Sequence, residues 1–307
     1  MLNNGEPSFT AMAAAAARAA HLIVDDEPLI FRDTLAYAML GDRAEEFVQY
    51  HRTQGEHIVL AGARAVVTTR ARYTEDRLAL AAARSDGIAQ YVIIGAGLDT
   101  FAHRTGGLAA GVRVFELDHP ATQEWKRARL DGAGIDPPAD PAHLTYIPVD
   151  LEAESPVEAL LRSRLDGGPD AGPDAGFDAA RPALFSWLGV TMYLTRDAIA
   201  RTFAAIAGSL APGTEVIVDH LLPEPLRDQA GRMYADMIMP ESARRGEPWL
   251  TSLGPREMAE LVAAHGLEVV EQVRQRDAVA AALWNRSDPL RPNELFALTR
   301  ARVPRST

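Results

Sequence analysis

The sequence predicts an α/β fold: a Rossmann-like, mostly parallel seven-stranded sheet with N-terminal helices before it and a helical lid insert within it. Three observations predict this fold. From residue 90 onwards, short apolar segments alternate with helical segments, which is typical of a parallel sheet with helices on both faces. The first of these segments, Tyr91–Ile94, is continuously apolar, as in a strand buried on both faces. The chain before Gly87 is rich in alanine and leucine, which favour helix.

The composition excludes several classes of protein. Of the 307 residues, 47% are hydrophobic and 24% are charged, so a globular core can form. The net charge of -11 disfavours binding to nucleic acid. The chain has no cysteine for a thiolate metal site and no apolar segment of membrane-spanning length. We find no secretion signal and expect a cytoplasmic protein, and the sequence leaves its oligomeric state open.

The elements are placed from their local patterns. Helices are predicted at 9–22, within 29–54, and at 119–130, 156–165, 196–210 and 255–265. The segment 57–84 is predicted as one helix, or as two helices broken near Thr68 and Thr69. Strands are predicted at 91–94, 112–115, 144–149, 183–188, 215–219, 268–273 and 295–299, the last at a sheet edge. The segment 221–250 is too long for a simple connection. We interpret it as a helical insert that covers the active site.

The first strand is followed by Gly95-Ala96-Gly97. Two glycines separated by one residue let the backbone turn tightly and approach a ligand closely, although the same pattern also ends strands that bind nothing. A dinucleotide fingerprint has a third glycine at the position of Thr100. The segment therefore favours a ligand without a pyrophosphate.

Acidic residues follow the next two strands. Asp118 lies 21 residues after Gly97, the distance at which an acid usually accepts the hydroxyls of a ribose. It also precedes His119-Pro120, so a helix N-cap is an alternative or additional role. Asp150 follows the third strand, where it could accept from an adenine amino group or cap a helix.

An arginine on the long helix before the first strand could also contact a ligand. Arg70 belongs to the segment Arg70-Ala71-Arg72-Tyr73. Its guanidinium could hold a carboxylate through two hydrogen bonds. The alternative is a solvated position on the helix surface.

Taken together, these residues resemble the leucine carboxyl methyltransferase family, and most closely its bacterial branch of enzymes that depend on S-adenosylmethionine (SAM). The resemblance rests on four segments: Thr-Arg-Ala-Arg-Tyr-Thr-Glu-Asp at 69–76, Gly-Ala-Gly-Leu-Asp-Thr at 95–100, Phe-Glu-Leu-Asp-His-Pro-Ala-Thr-Gln at 115–123 and Val-Thr-Met-Tyr-Leu at 190–194. It extends from about residue 10 to the C-terminus. The spacing of the second and third segments makes it specific.

The resemblance implies a class I methyltransferase fold and a set of cofactor residues. These are Arg70 at the SAM carboxylate, Gly95, Ala96 and Gly97 at the turn beside the methionine part, Asp118 at the ribose, and Asp150 and Leu151 around the adenine. The chain departs from the family at Leu188, where a Glu often helps to hold the methionine end. Trp187 or a backbone carbonyl is the expected replacement. The predicted domains are a helical region at 1–86, which contributes to the cofactor site, and a SAM-binding domain at 87–307.

These features predict a SAM-dependent O-methyltransferase that acts on a carboxyl or hydroxyl group of a small hydrophobic molecule of the secondary-metabolite type. Methyl transfer is an in-line displacement, so the enzyme mainly supplies proximity and alignment. A carboxylate acceptor needs no base, whereas a phenol or an alcohol benefits from one. His220, after the fifth strand, is the candidate base, and Tyr193 could orient the acceptor. Purely structural roles are the alternatives for both side chains.

Two other functions stay open at this point. Leu188 allows a protein that binds SAM but no longer transfers methyl groups, or uses it in a structural role. The sheet type also allows an oxidoreductase with a nicotinamide cofactor, although Thr100 in place of the third glycine speaks against it.

Overall fold

The computed structural model describes five stretches of the chain, which are residues 9–84, 87–104, 111–138, 143–163 and 176–305. Residues 1–8 and 85–86 of the predicted helical region lie outside them. Within these stretches, no helix combines the length and the apolar character needed to cross a membrane.

Seven strands form one sheet in the order β3-β2-β1-β4-β5-β7-β6. The strands are β1 (Gln90–Ile94), β2 (Arg113–Asp118), β3 (Leu144–Pro148), β4 (Leu184–Trp187), β5 (Glu215–Leu221), β6 (Glu268–Arg274) and β7 (Phe296–Arg302). Strands β1 to β5 pair in parallel, and β7 pairs antiparallel with both β5 and β6. The predicted mostly parallel sheet of seven strands is confirmed.

The edge position predicted for the last strand is wrong. Strand β7 lies between β5 and β6, and β6 forms the edge. Most of β7 is buried, whereas β6 is half-exposed along its length. A strand with neighbours on both sides excludes more water than an edge strand, which explains why the apolar residues concentrate in β7.

Helices precede the sheet and connect its parallel strands. They are α1 (Phe9–Val24), α2 (Ala36–Met39), α3 (Ala44–Gln54), α4 (Ile58–Ala82), α5 (Phe101–Arg104), α6 (Pro120–Gly132), α7 (Pro156–Ser163), α8 (Arg196–Ser209), α9 (Gln229–Arg244) and α10 (Pro255–Ala264). The helical stretch predicted within 29–54 is divided into α2 and α3 by a 3-10 turn at Gly41–Arg43.

The sheet is covered on both faces, because successive residues of a strand point to opposite sides. Val92 packs into a core that includes residues of α8 and α10. Its neighbours Tyr91 and Ile93 pack into a second core with Tyr73 and Leu78 of α4. Burial on both faces explains why the strands appear in the sequence as continuous apolar segments.

The N-terminal helices are held together by buried charges and reach the turn after β1. Arg64 of α4 is fully buried, and its Nε lies 2.8 Å from Oδ2 of Asp25. Arg18 of α1 donates to the backbone oxygen of Leu98, at 2.7 Å, in the segment after β1. The boundary between the two predicted domains stays a prediction.

The predicted insert contains helix α9. Asp228 caps this helix, since its Oδ1 accepts the N–H of Gly231 at 2.7 Å. Tyr234 and Trp249 of the insert pack into a cluster with Val66 of α4. The helical character of the insert is confirmed, and its role as a lid stays a prediction.

Candidate functional site

The turn after β1 packs closely against the segment that follows β4. Gly95 has a φ of 69°, and its N–H donates to the backbone oxygen of Leu117 at 2.8 Å. A β-carbon at Gly95 would lie 2.5 Å from Cγ2 of Val190. Both the positive φ and this close approach require glycine. Ala96, whose N–H also donates to Leu117, and Gly97 complete the turn.

Asp118 ends β2 and faces this turn. Its Oδ2 accepts the N–H of Gly97 at 2.6 Å, and its Oδ1 accepts the N–H of His119 at 2.7 Å. Burial raises the pKa of the Asp118 carboxyl, and the two N–H donors oppose the increase. The side chain of Thr122 also hydrogen-bonds this carboxylate. Because a carboxylate offers about four lone-pair sites, Asp118 can still accept from a further hydroxyl. The N-cap of α6 is His119, so Asp118 does not have the alternative role of an N-cap.

The two residues after β3 lie differently. Leu151 is half-buried, and its Cδ1 lies 3.7 Å from the position of a β-carbon at Gly95. Asp150 is exposed, and its Oδ1 accepts the N–H of Glu152 at 3.0 Å. The structure therefore brings Leu151 to the turn after β1. Asp150, the residue before it, lies on the surface of the protein.

Arg70 lies on α4 and contacts the same segment after β4. Its Nη1 donates to Oδ2 of Asp219 at 2.8 Å, and Oδ1 of Asp219 accepts the N–H of Gly189 at 2.7 Å. A β-carbon at Gly189 would lie 2.5 Å from Nη2 of Arg70. Within the described residues, Nε and Nη2 of Arg70 have no hydrogen-bond partner. Because Val190 touches the turn at Gly95 and Gly189 touches Arg70, this segment connects the two groups.

Trp187 belongs to the core against which Leu151 and Val190 pack, and its predicted role at the methionine end of the cofactor stays a prediction. It is buried in the core, where its ring lies edge-to-face on Phe203 with 5.9 Å between centroids. Its Nε1 has no hydrogen-bond partner among the described residues. The carboxylate that contacts the segment after β4 belongs to Asp219, a residue that sequence reasoning missed.

His220 points to the opposite side of β5 from Asp219, since side chains alternate along a strand. Its Nδ1 lies 2.8 Å from the backbone oxygen of Leu253, and its Nε2 lies 3.0 Å from Oγ1 of Thr299. Burial lowers the pKa of His220 to about 4. Both ring nitrogens are therefore engaged. The role of His220 as a base stays a prediction that this geometry does not support.

Tyr193 lies on a short 3-10 helix at Thr191–Tyr193 and contacts the insert. It is half-buried in a cluster with Tyr234 and Trp249. Burial raises the pKa of its hydroxyl. Its predicted role in orienting the acceptor stays a prediction.

The sequence matches known proteins over most of its length. A model of the family described as leucine carboxyl methyltransferase matches residues 11–207. YktD of Bacillus subtilis (strain 168), named as a candidate S-adenosyl-L-methionine-dependent methyltransferase, is 28% identical over 313 aligned residues. The alignment covers 94% of this chain and 95% of YktD.

Two solved structures share the fold. A candidate methyltransferase from Thermobifida fusca YX superposes with a TM-score of 0.59 at 19% identity, which covers 99% of this chain and 97% of that chain. A DUF574 family protein from Streptomyces avermitilis MA-4680 superposes with a TM-score of 0.62 at 16% identity, with coverages of 97% and 98%. The class I methyltransferase fold implied by the resemblance is confirmed.

Proposed function

Because the chain belongs to the leucine carboxyl methyltransferase family, we propose that it transfers the methyl group of SAM to a carboxyl or hydroxyl oxygen of a small acceptor with an apolar body. Methyltransferase activity follows from the family, and SAM is the cofactor that the curated relatives name. The oxygen acceptor and its apolar character are the parts that we add.

One observation carries the proposal, which is the convergence of three groups at the carboxyl ends of the strands. The turn at Gly95, the carboxylate of Asp118 and the guanidinium of Arg70 come from β1, β2 and α4, and ligands of open parallel sheets bind at this edge. SAM presents a ribose diol and an α-carboxylate. Asp118 can accept from the diol, and the two nitrogens of Arg70 that lack a partner can donate to the carboxylate.

Asp219 supplies the charge that Leu188 lacks. The α-ammonium of the cofactor needs an acceptor, and the family often provides it as a Glu at the position of Leu188. Asp219 is buried, accepts the N–H of Gly189 and pairs with Arg70. Gly189 is the residue that directly follows Leu188 in the chain. A guanidinium beside a carboxylate complements an α-amino acid group, so we assign the carboxylate of the cofactor to Arg70 and its ammonium to Asp219.

The groups near the site favour a carboxylate acceptor. SAM supplies an electrophilic methyl group when it is bound. The protein must then align an oxygen nucleophile and exclude water. His220 has no free ring nitrogen, and burial raises the pKa of Tyr193. A carboxylate is already ionised at neutral pH, so it requires neither side chain as a base.

A comparison of acceptors tests this proposal. The full chain is incubated with methyl-labelled SAM and with sets of compounds that differ only in the reacting group, such as benzoate, benzyl alcohol and benzylamine, together with medium-chain aliphatic analogues. We expect methyl esters or ethers and release of S-adenosylhomocysteine. Methylation of the amines alone would overturn the oxygen acceptor.

A further inference from the structure

A small cavity lies beside Arg70 and Asp219, between α4 and the half of the sheet that contains β5 and β7. It has a volume of about 20 Å³ and is bounded by α4, β5, β7 and the residue after β6. Its polar walls are Thr69, Arg70, Asp219 and Gln275. A space of roughly 10–15 Å³ already admits a water molecule. The cavity is therefore large enough for one polar group, such as an oxygen of a carboxylate.

Two of these walls present buried polar atoms that have no partner. Oγ1 of Thr69 and Nε2 of Gln275 make no hydrogen bond with the described residues. Only 1% of Thr69 and 6% of Gln275 is exposed. The orientation of the Gln275 amide is set by its own oxygen, which accepts the N–H of Asn293 at 2.6 Å. Because a buried donor without an acceptor is unfavourable, both atoms point to a ligand.

The chemistry of the walls matches an oxygen anion. The amide nitrogen of Gln275 can only donate hydrogen bonds, and the hydroxyl of Thr69 can donate one. The guanidinium of Arg70 adds positive charge, although its nitrogens are assigned to Asp219 and to the carboxylate of the cofactor. Asp219 already accepts from Arg70 and from the N–H of Gly189. The remaining walls are apolar side chains of α4 and β7. An anionic oxygen on an apolar molecule can therefore accept hydrogen bonds from more of the free donors in the cavity than an amine can.

The position of the cavity assigns it to the acceptor. The proposed adenosine contacts follow β1, β2 and β3, whereas the cavity residues lie on or after β5, β6 and β7 and on α4. Arg70 and Asp219, to which we assign the amino acid part of the cofactor, also line the cavity, so the cavity adjoins the methionine end of the proposed cofactor site. We propose that Thr69 and Gln275 form a subsite that holds one carboxylate oxygen of the methyl acceptor. The second oxygen is then free to receive the methyl group, and no proton has to be removed.

The inference rests on the proposed function, so its test separates the two. Isothermal titration first measures S-adenosylhomocysteine on the full chain, and then benzoate or hexanoate on the chain saturated with S-adenosylhomocysteine. Benzyl alcohol and hexanol are the neutral controls. We expect the acids to bind at least tenfold more tightly than the alcohols. A chain that binds no S-adenosylhomocysteine would refute the cofactor site itself.

Three variants locate the bound oxygen. Gln275→Glu keeps the oxygen that accepts from Asn293 and replaces the free donor by an anion, so we expect at least a tenfold loss of benzoate affinity. Thr69→Val removes the hydroxyl without a change of shape, and we expect a loss of a few fold. Thr74→Val is the matched control, since Oγ1 of Thr74 on the same helix is also buried without a partner and lies outside the cavity.

Weaker benzoate binding in Gln275→Glu and Thr69→Val, with unchanged S-adenosylhomocysteine affinity and no effect of Thr74→Val, supports the subsite. Equal benzoate affinity in all four proteins, or no binding of either acid to the wild-type chain that binds S-adenosylhomocysteine, overturns it. If Gln275→Glu does not fold, the comparison of Thr69→Val with Thr74→Val decides alone.

Discussion

Arg70 and Asp219 are separated by 149 positions in the chain, yet Nη1 of the first lies 2.8 Å from Oδ2 of the second. Only 16% of the Arg70 side chain and 1% of the Asp219 side chain is exposed. The pair therefore joins the N-terminal helical region to the centre of the sheet. It also places a guanidinium at the carboxyl end of β4, with two nitrogens that have no hydrogen-bond partner in the described part of the chain.

Replacement of Arg70 by lysine should separate binding of the amino acid part of the cofactor from binding of the adenosine. Lys keeps the charge beside Asp219 but cannot hold a carboxylate through two parallel hydrogen bonds. We expect Arg70→Lys to bind S-adenosylhomocysteine about tenfold more weakly. Its affinity for 5′-methylthioadenosine, which lacks the amino acid part, should not change. Isothermal titration measures both affinities.

The same helix offers a control for Arg70→Lys. Arg72 is half-buried on α4, where its Nε lies 2.7 Å from Oδ2 of Asp76 and its Nη1 donates to the backbone oxygen of Ile30 at 3.3 Å. Arg72→Lys should leave both affinities unchanged. An equal loss for the two ligands in Arg70→Lys would show that Arg70 supports the fold of the site and does not contact the carboxylate.

Replacement of Asp118 by alanine should weaken both ligands, because both contain the ribose. The variant loses the acceptor for the hydroxyls and the two hydrogen bonds from Gly97 and His119. We expect at least a tenfold loss of affinity for S-adenosylhomocysteine and for 5′-methylthioadenosine in isothermal titration. NAD(H) serves as the control and should bind to neither protein. Measurable NAD(H) binding that depends on Asp118 would favour the oxidoreductase alternative.

Replacement of Gly189 by alanine tests the close approach of Arg70 to the backbone. Gly189 has a φ of 74°, and an added β-carbon would lie 2.5 Å from Nη2 of Arg70. We expect Gly189→Ala to lower the free energy of unfolding by about 1–3 kcal/mol in urea titrations, and to weaken S-adenosylhomocysteine as Arg70 is displaced.

Gly208 in α8 provides the comparison for Gly189→Ala. A β-carbon at Gly208 meets nothing within 4 Å, so Gly208→Ala should stabilise the protein by roughly 0.5–1 kcal/mol. Similar effects of the two substitutions would contradict the strained contact at Gly189.

His220 should make stability depend on pH. Burial lowers its pKa from 6.5 to about 4 in the folded protein. Between these values the unfolded chain binds a proton that the folded chain does not. The stability contributed by the neutral ring is therefore present above pH 6.5 and is lost as the pH falls towards 4.

The variant His220→Asn isolates this contribution. Burial raises the pKa of Glu116 to about 7, so its contribution to stability decreases as the pH rises, opposite to that of His220. The pH slope of the wild-type protein is therefore the sum of both contributions. We expect the slope of the unfolding free energy between pH 6 and pH 4.5, measured in urea titrations, to fall by up to about 1.4 kcal/mol per pH unit in His220→Asn. An unchanged slope would mean that His220 is accessible to protons in the folded protein.

The strands could be predicted from the sequence because a strand that is buried on both faces consists of consecutive apolar residues. Tyr91–Ile94 has no polar interruption, and the corresponding strand β1 is buried at every position. The distance between Gly97 and Asp118 predicts an acid that accepts the hydroxyls of a ribose, and that role stays a prediction. The structure places Asp118 at the glycine turn, where its Oδ2 accepts the N–H of Gly97 at 2.6 Å.

The polar groups around the cavity could not be predicted in this way. In Val218-Asp219-His220, the sequence does not show which side chain faces α4 and which faces the segment before α10. The chemistry of an imidazole makes His220 the candidate base in the sequence, whereas the structure places the carboxylate of Asp219 against Arg70. Gln275 becomes a neighbour of Thr69 only when β6 joins the sheet through β7. No local pattern carries that information.

The insertion of β7 between β5 and β6 has a consequence for biosynthesis. Among the described residues, strand β6 pairs only with β7, which leaves the ribosome after it. A nascent chain can therefore assemble the parallel half of the sheet, which includes the turn at Gly95 and Asp118, before β7 is available to pair with β6. Phe296 and Leu298 of β7 also line the cavity. During translation the residues proposed to bind the cofactor can come together first, and the cavity beside Arg70 is completed only after β7 has been synthesised.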